Sequence, residues 1–328
     1  MKEKLKEILA VQSKSGNQWR MFAYIIRQLS KTNCEYYTFN GCIYVTKGAA
    51  DLYPCVVAHM DTVHNIVENL SIIEIEDNLI GYNACRMEQT GIGGDDIVGV
   101  FIALQCLETF DDIKLVFFRD EEIGCEGSYD SDKDFFEDCS FILQCDRQRN
   151  KDFVNNIGGM PLSSDEFQKD VLPIIEKYGY SFTEGMMTDV MALKEERILP
   201  SMANISCGYY RPHQDDEYVN VTDVFKCLGM VKEIIYSMGN TSYPCPYTKV
   251  FVQKYSNYSN KPFKYSNKWE NESWNGYEYE EEYNKNEWKE QTCDCCLEKT
   301  NVVEWVPEFN EFLCDKCIEE YSEMLTTY

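Results

Sequence analysis

Histidine and clusters of basic residues are what this 328-residue chain has least of. It holds only three histidines, and its 31 basic residues face 56 acidic ones, giving a net charge of −25. Since a nucleic-acid binder needs a basic patch and no cluster of Lys or Arg is present, we expect no nucleic-acid partner. No apolar run approaches the roughly 18 residues that cross a bilayer, so we expect no membrane partner.

The cysteines are plentiful, and eleven of the 16 are scattered singly along the chain. Most of these lie within or beside apolar runs, for example Cys55, Cys106, Cys145 and Cys227. The N-terminal stretch "MKEKLKEILAVQSKSG" is charged and lacks the apolar core of a secretory signal. The sequence therefore predicts free, packed thiols in a reducing cytoplasm.

Residues 1–240 alternate strand-like apolar runs with segments of helical periodicity. The pattern predicts helices near 2–12, 17–31, 96–109, 165–178 and 221–238. It predicts strands at 42–46, 55–59, 114–118, 140–145 and 202–207, and a hairpin around Asp77–Asn78. Such alternation indicates an α/β domain whose mixed sheet is mostly parallel and is flanked by helices.

The composition changes abruptly from Thr241 to Glu290, a stretch that contains no Leu, Ile or Met. It cannot bury enough aliphatic surface to offset ordering, so 241–290 is interpreted as a flexible acidic linker. Its eight tyrosines and three tryptophans leave a second interpretation open, in which the aromatics dock on the domain or on a protein partner.

Polar clusters follow several of the predicted strands. His59 and Asp61 come after "CVVA", Glu121 and Glu122 after "KLVFFRD", and Asp146 after "FILQC". Two further clusters supply His213, after "MANISC", and Asp95, in the glycine-rich "GIGGDD". Because parallel strands end at one edge of a sheet, these imidazoles and carboxylates are expected to converge there.

Several carboxylates in one cleft raise each other's pKa unless cations intervene. Carboxylate and imidazole together suit zinc, and also cobalt or manganese. A carboxylate that bridges two ions, with one His and one further carboxylate on each, leaves room for a shared water. Two ions lower the pKa of that water to about 7, giving a hydroxide nucleophile at neutral pH.

The series "HMD", "GGDD", "DEEIGCEG", "CD" and a late His resembles the co-catalytic di-zinc exopeptidases. That superfamily includes peptidase T, the aminoacylase and carboxypeptidase group, and the leucyl and tetrahedral aminopeptidases. The resemblance covers roughly residues 1–240 and implies their phosphorylase/hydrolase-like fold. It also implies a ligand set, with Asp95 bridging, His59 and Asp146 on one ion, and Glu122 and His213 on the other.

The same resemblance implies roles for the remaining acids. Glu121 matches the general base that takes a proton from the water and returns it to the leaving amine. Asp61 matches the carboxylate that orients His59. A cis peptide is expected between Asp95 and Asp96. Of the neighbouring residues, Arg147 is open to two interpretations, pairing with a surplus acid or with a substrate carboxylate.

One departure from the family concerns the inserted lid or dimerisation domain that many relatives carry. The gaps between His59 and Asp95 and between Asp146 and His213 hold only 35 and 66 residues. A hairpin and ordinary sheet elements fill them, so this chain resembles a core without a lid. Oligomeric state and side-chain preference are therefore left open.

Four C-terminal cysteines have the spacing of a structural zinc site. Cys293 and Cys296 in "CDCC" and Cys314 and Cys317 in "CDKC" form C-x2-C-x17-C-x2-C, which offers a tetrahedron of thiolates, with Cys295 as an alternative to Cys293 or Cys296. A segment of this size, 291–328, needs a metal to fold. Redox-active CxxC pairs are the alternative.

These patterns together predict a dinuclear zinc-dependent exopeptidase, an aminopeptidase on short peptides, tethered to a zinc ribbon. A deacylase of N-acyl amino acids or other small amides is the alternative within the same fold. From a different class, the protein is an adaptor that binds a partner through its ribbon, with a vestigial hydrolase core.

Overall fold

Two sheets form the part of the chain that carries the predicted strand-end clusters. The computed structural model describes residues 1–247 and, further on, only four short strands. The strands of residues 1–247, in chain order, are β1 (Glu35–Phe39), β2 (Cys42–Lys47), β3 (Tyr53–His59), β4 (Leu70–Ile75), β5 (Asn78–Asn83), β6 (Glu88–Thr90), β7 (Ile113–Phe118), β8 (Cys139–Arg147), β9 (Asp152–Ile157), β10 (Met160–Pro161), β11 (Ser181–Gly185), β12 (Ser201–Ser206), β13 (Tyr209–Tyr210) and β14 (Tyr218–Asn220).

Seven α-helices accompany these strands within residues 1–247. They are α1 (Lys2–Leu9), α2 (Trp19–Leu29), α3 (Gly94–Thr109), α4 (Glu126–Tyr129), α5 (Asp165–Lys177), α6 (Asp189–Glu195) and α7 (Val221–Met238), with one 3-10 turn at Asp134–Phe136. None of the described helices combines the length and apolarity that crossing a bilayer requires.

The larger sheet has nine strands in the order β1-β2-β7-β3-β8-β12-β9-β10, with β11 beside β9. Its centre, β7-β3-β8-β12, is parallel, while β1, β2, β10 and the β9–β12 pair add antiparallel edges. Every residue of β3, β7 and β12 is buried, as expected for strands covered on both faces. The predicted mixed α/β sheet is thereby confirmed.

Helix α3 supplies much of the cover on one face, because it contacts β3, β7 and β8. It is apolar nearly all round, so it is buried rather than amphipathic. A second apolar cluster, which includes Tyr44, Phe118 and Phe136, covers part of the sheet. The carboxyl ends of the four central strands are left as one continuous edge.

The smaller sheet has the order β13-β14-β5-β4, with β6 beside β5. Ile75 pairs with Asn78, so Glu76 and Asp77 form a two-residue turn, and Glu76 has a positive φ of 57°. This is the predicted hairpin, and it occupies the interval between His59 and Asp95.

The five predicted helices and five predicted strands are all present, with ends displaced by a few residues. The sequence did not predict β1, β6, β9–β11, β13, β14, α4 or α6, most of which are short or have partly exposed residues. The eleven cysteines of residues 1–247 are free thiols and nine are buried, as expected.

The chain divides into two compact units, and the described part of the first runs to Tyr247. Tyr243 and Cys245, which the sequence assigned to the linker, are only 2% and 5% exposed. Their carbonyls accept hydrogen bonds from Ser201 N and from Lys194 Nζ, respectively, so the start of the predicted linker lies against the first unit.

The described part of the second unit comprises two antiparallel strand pairs. Gln291–Thr292 pairs with Lys299–Thr300, and Glu304–Val306 pairs with Glu311–Leu313. The four cysteines of the predicted zinc site, Cys293, Cys296, Cys314 and Cys317, lie outside the described residues, as does 248–290 of the predicted linker. The boundaries 1–240, 241–290 and 291–328 stay predictions.

Candidate metal centre

The predicted ligands come together at the carboxyl edge of the larger sheet. His59 is the last residue of β3, and Asp146 is the penultimate residue of β8. Glu121 and Glu122 lie in the turn after β7, and His213 lies in the turn after β13. Asp95 lies two residues after Gly93, whose φ of 69° turns the chain into α3, and the Asp95–Asp96 peptide is cis, as expected.

Asp95 faces two separate imidazole–carboxylate pairs, one with each of its oxygens. Its Oδ1 lies 3.4 Å from His59 Nε2, which is itself 3.6 Å from Asp146 Oδ1. Its Oδ2 lies 3.4 Å from His213 Nε2, which is 3.0 Å from Glu122 Oε2. One carboxylate therefore takes part in two sets of three donors.

These separations fit divalent cations. Donors around a tetrahedral zinc ion, with bonds of about 2.1 Å, lie about 3.4 Å apart. Moreover, His59 is fully buried, and its Nε2 makes no hydrogen bond within residues 1–247. A buried imidazole nitrogen without a hydrogen-bond partner, aimed at carboxylates, is the expected arrangement of a ligand without its ion. The residues present thus fit a divalent cation.

The other nitrogen of His59 is held by the backbone. Its Nδ1 lies 2.9 Å from the carbonyl oxygen of Asp61, whereas the Asp61 carboxylate is 3.5 Å away. That carboxylate instead accepts backbone N–H groups of Glu121 at 3.0 Å and Glu122 at 3.4 Å. Asp61 therefore fixes the acidic turn directly, and orients the imidazole chiefly through its main chain.

A buried polar network holds Asp146, which the sequence did not predict beyond the ligand itself. Thr188 Oγ1 donates to Asp146 Oδ2 at 3.0 Å, and Gln144 Nε2 donates to the same oxygen at 3.2 Å. Tyr209 donates from its hydroxyl to Asp146 Oδ1 at 3.2 Å, so this hydroxyl is already hydrogen-bonded within the cluster. Asn204 Nδ2 donates to the Asp146 carbonyl at 2.7 Å.

The crowding of acids perturbs their protonation. Burial, reinforced by the charges of nearby carboxylates including Asp146, raises the pKa of Glu121 to about 9. Burial and the charge of Asp95 raise the pKa of Asp146 to about 8. The hydrogen bonds of His213 with Asp95 and Glu122 raise its pKa to about 10. Cations placed among these groups would favour the ionised carboxylates and neutral imidazoles.

A cleft of about 310 Å³ opens over this cluster. Besides Asp95, Glu122, Asp146 and His213 it is lined by Arg147, Asn204 and an apolar loop of Met186 and Met187, which are 79% and 57% exposed. Arg147 Nε donates to Asp152 at 2.7 Å, so the predicted pairing with a surplus acid is present.

Comparisons with known proteins give a fold but no sequence family, because no protein-family description and no curated protein matches the sequence. The solved structures that match include a tripeptidase from Staphylococcus aureus, with 12% identity over 71% of this chain and 96% of that chain, and a TM-score of 0.58. Aminopeptidase PepT from Bacillus cereus matches with 12% identity over 72% and 97%, and a TM-score of 0.60. An aminopeptidase from Desulfurococcus kamchatkensis matches with 14% identity over 73% and 95%, and a TM-score of 0.54. At these identities, the likeness establishes that the chain has the fold of these peptidases.

Proposed function

We propose that this protein is a metal-dependent aminopeptidase that acts on short peptides and holds two divalent ions, zinc or else cobalt or manganese. The observation that carries the proposal is the position of Asp95, whose two oxygens each lie 3.4 Å from a different histidine. In a buried and strongly acidic cleft, two such donor sets around one shared carboxylate favour the binding of two metal ions.

In this proposal His59 and Asp146 would hold one ion, Glu122 and His213 would hold the other, and Asp95 would serve both. When bound, the ions would supply a Lewis acid for the scissile carbonyl and would lower the pKa of a water. Glu121 is the residue that accepts a proton from the attacking water and returns it to the leaving amine.

The position of Glu121 supports its role. Its Oε2 lies 3.9 Å from His59 Nε2, at the mouth of the first donor set, and its side chain is 13% exposed to the cleft. Asp61 holds the Glu121–Glu122 turn by accepting both backbone N–H groups, so the base and a ligand are positioned together.

Two features of the cleft favour a short peptide as substrate. Its acidic lining attracts the ammonium group of a free N-terminus. A volume of about 310 Å³ accommodates only a few residues. The names tripeptidase and aminopeptidase, which belong to the matching structures, agree with this choice.

The proposal is tested with dipeptides and tripeptides that are free, N-acylated or C-amidated, on protein stripped of metal and reloaded with Zn²⁺, Co²⁺ or Mn²⁺. We expect hydrolysis of free and C-amidated peptides, loss of activity on stripping, and recovery on reloading. Preferential cleavage of the N-acylated compounds indicates the deacylase instead. Failure to hydrolyse any member of the panel after reloading contradicts an enzymatic function and favours the adaptor.

For the C-terminal region we propose one structural zinc on Cys293, Cys296, Cys314 and Cys317. The support is the C-x2-C-x17-C-x2-C spacing. The two strand pairs nearby agree with a small ribbon. The aromatic stretch that precedes it makes a protein the expected partner of this region.

A further inference from the structure

Glu217 is a fully buried carboxylate that has no part in the chemistry proposed above. Its Oε2 lies 2.7 Å from Nε2 of His64 and accepts the backbone N–H of Gly93 at 3.0 Å. Its Oε1 accepts the backbone N–H of Asp95 at 3.2 Å. A buried carboxyl group is costly unless it is hydrogen-bonded, and here three nitrogen groups surround it.

The chemistry of the neighbours fixes the role of the Glu217 carboxyl group. The groups at Gly93 and Asp95 are backbone N–H donors, which can only donate. Each Glu217 oxygen therefore accepts one backbone hydrogen bond, and Oε2 also contacts Nε2 of His64.

Two glycines of "GIGGDD", Gly91 and Gly94, lie so close to this pair that a side chain at either position would clash. A Cβ on Gly91 would lie 2.0 Å from Cε1 of His64, so the imidazole ring rests directly on the backbone there. A Cβ on Gly94 would lie 3.2 Å from Oε1 of Glu217 and 2.7 Å from Cβ of Tyr209. Real side chains do not approach so closely, so an alanine at Gly91 displaces His64.

The pair joins the three segments that carry the histidine ligands and the bridging acid. His64 lies five residues after His59, and Glu217 lies four residues after His213. Asp95 donates its N–H to Glu217 from the third segment. Neither His64 nor Glu217 lines the cleft, so both act from behind the candidate metal centre.

We propose that Glu217 and His64 form a buried tie that positions the backbone of Asp95, and through it the carboxylate shared by both donor sets. The importance of the Asp95 position for metal binding rests on the proposed function. Glutamine in place of Glu217 keeps its shape but puts an NH₂ group opposite an N–H donor, whichever way the amide turns. Asp95 or its neighbours then lose an acceptor, and the shared carboxylate shifts without any ligand having been removed.

The test is a titration of metal-stripped, full-length protein with Co²⁺, together with kcat and KM for a dipeptide after reloading. For E217Q we expect Co²⁺ to bind the core sites about 10–100-fold more weakly, the range found when partners of metal ligands are removed. We expect kcat to fall about tenfold at saturating Co²⁺, with KM within about threefold. The thermal midpoint of the metal-free protein reports whether the fold is kept.

Matched variants separate positioning from a general loss of structure. H64Q keeps an N–H donor where H64A does not, so H64Q is expected to recover affinity to within about threefold of wild type. E233Q makes the same chemical change on the surface, where Glu233 pairs with Lys177, and leaves every readout unchanged. The Co²⁺ taken up by the C-terminal cysteines is common to all variants, so the difference between variants isolates the core.

A Co²⁺ affinity of E217Q equal to that of the wild type overturns the proposed tie. An equal loss of Co²⁺ affinity in H64Q and H64A also overturns it. Should E217Q fail to fold, the comparison of H64Q with H64A decides. If wild-type protein binds Co²⁺ but hydrolyses no peptide, the proposed function fails, and the Co²⁺ affinities still decide whether the tie exists.

Discussion

Replacing Glu121 with glutamine should change activity and stability in opposite directions. The substitution preserves the size of the side chain and removes only the group proposed to accept a proton. Loss of a general base lowers turnover by about 10²–10⁴-fold. Within the described residues, the hydrogen bond that the Glu121 carboxylate receives is a weak one, from Cys125 Sγ at 3.6 Å, so glutamine leaves the surrounding structure intact.

The effect on stability follows from the protonation of metal-free protein. Burial raises the pKa of Glu121 from 4.5 to about 9, so between these values the folded state keeps a proton that the unfolded state loses. Stability of the wild type therefore falls as pH rises through this window. At pH 7 the cost is about 2.5 pH units at 1.36 kcal/mol each, or about 3 kcal/mol. Glutamine does not titrate, so E121Q escapes this cost.

The assay is denaturant unfolding of metal-stripped wild type and E121Q from pH 5 to pH 9. We expect the advantage of E121Q to grow by about 1.4 kcal/mol per pH unit and to raise the thermal midpoint at pH 7 by about 5–10 °C. E126Q is the matched control, because Glu126 is half exposed and pairs only at the surface with Arg119. A metal-free E121Q that is less stable than wild type at pH 7 refutes the burial argument. Wild-type turnover refutes the assignment of the base.

Three further predictions concern other parts of the chain. Because the Arg147 guanidinium lines the cleft, R147M should raise KM about 10–100-fold for peptides with a free C-terminus and leave the KM of C-amidated peptides within twofold. Equal changes in KM for both kinds of peptide, measured in matched kinetics, would mean that Arg147 serves only to pair with Asp152. Burial lowers the pKa of Lys194 to about 8, so above that pH the unfolded state binds more protons than the folded state. In denaturant unfolding, the free energy of unfolding of the wild type should therefore rise by about 2 kcal/mol relative to K194M between pH 8 and pH 10. The double variant C314S/C317S should lose about one of three zinc ions per chain by elemental analysis with peptidase activity unchanged, and an unaltered zinc content excludes the ribbon.

Much of the fold could be predicted because its signals are local. The central strands are continuous apolar runs, and α7 has regular apolar spacing, so their type and order follow from the sequence. Strands such as β1 and β9 were missed, since their residues are partly exposed and their conformation depends on pairing with a neighbour.

The candidate site divides in the same way. Residue types at strand ends predicted which acids and histidines meet, because parallel strands place their ends at one edge. The sequence predicted that Asp61 orients His59, but not that its carbonyl oxygen rather than its carboxylate makes the closer contact. That outcome depends on the path of the chain after His59. Nothing in the sequence marked Thr188 or Gln144 as partners of Asp146.

The sequence by itself determined the order of the elements, the candidate site residues and the edge on which they gather, because periodicity and residue type act over a few neighbouring positions. Only the tertiary structure decided which partners support those residues. Glu217 and Asp95 lie 122 residues apart, and a buried carboxylate must find its N–H donors among whichever loops the fold brings together. Such partners are set by three-dimensional proximity, which no local pattern records.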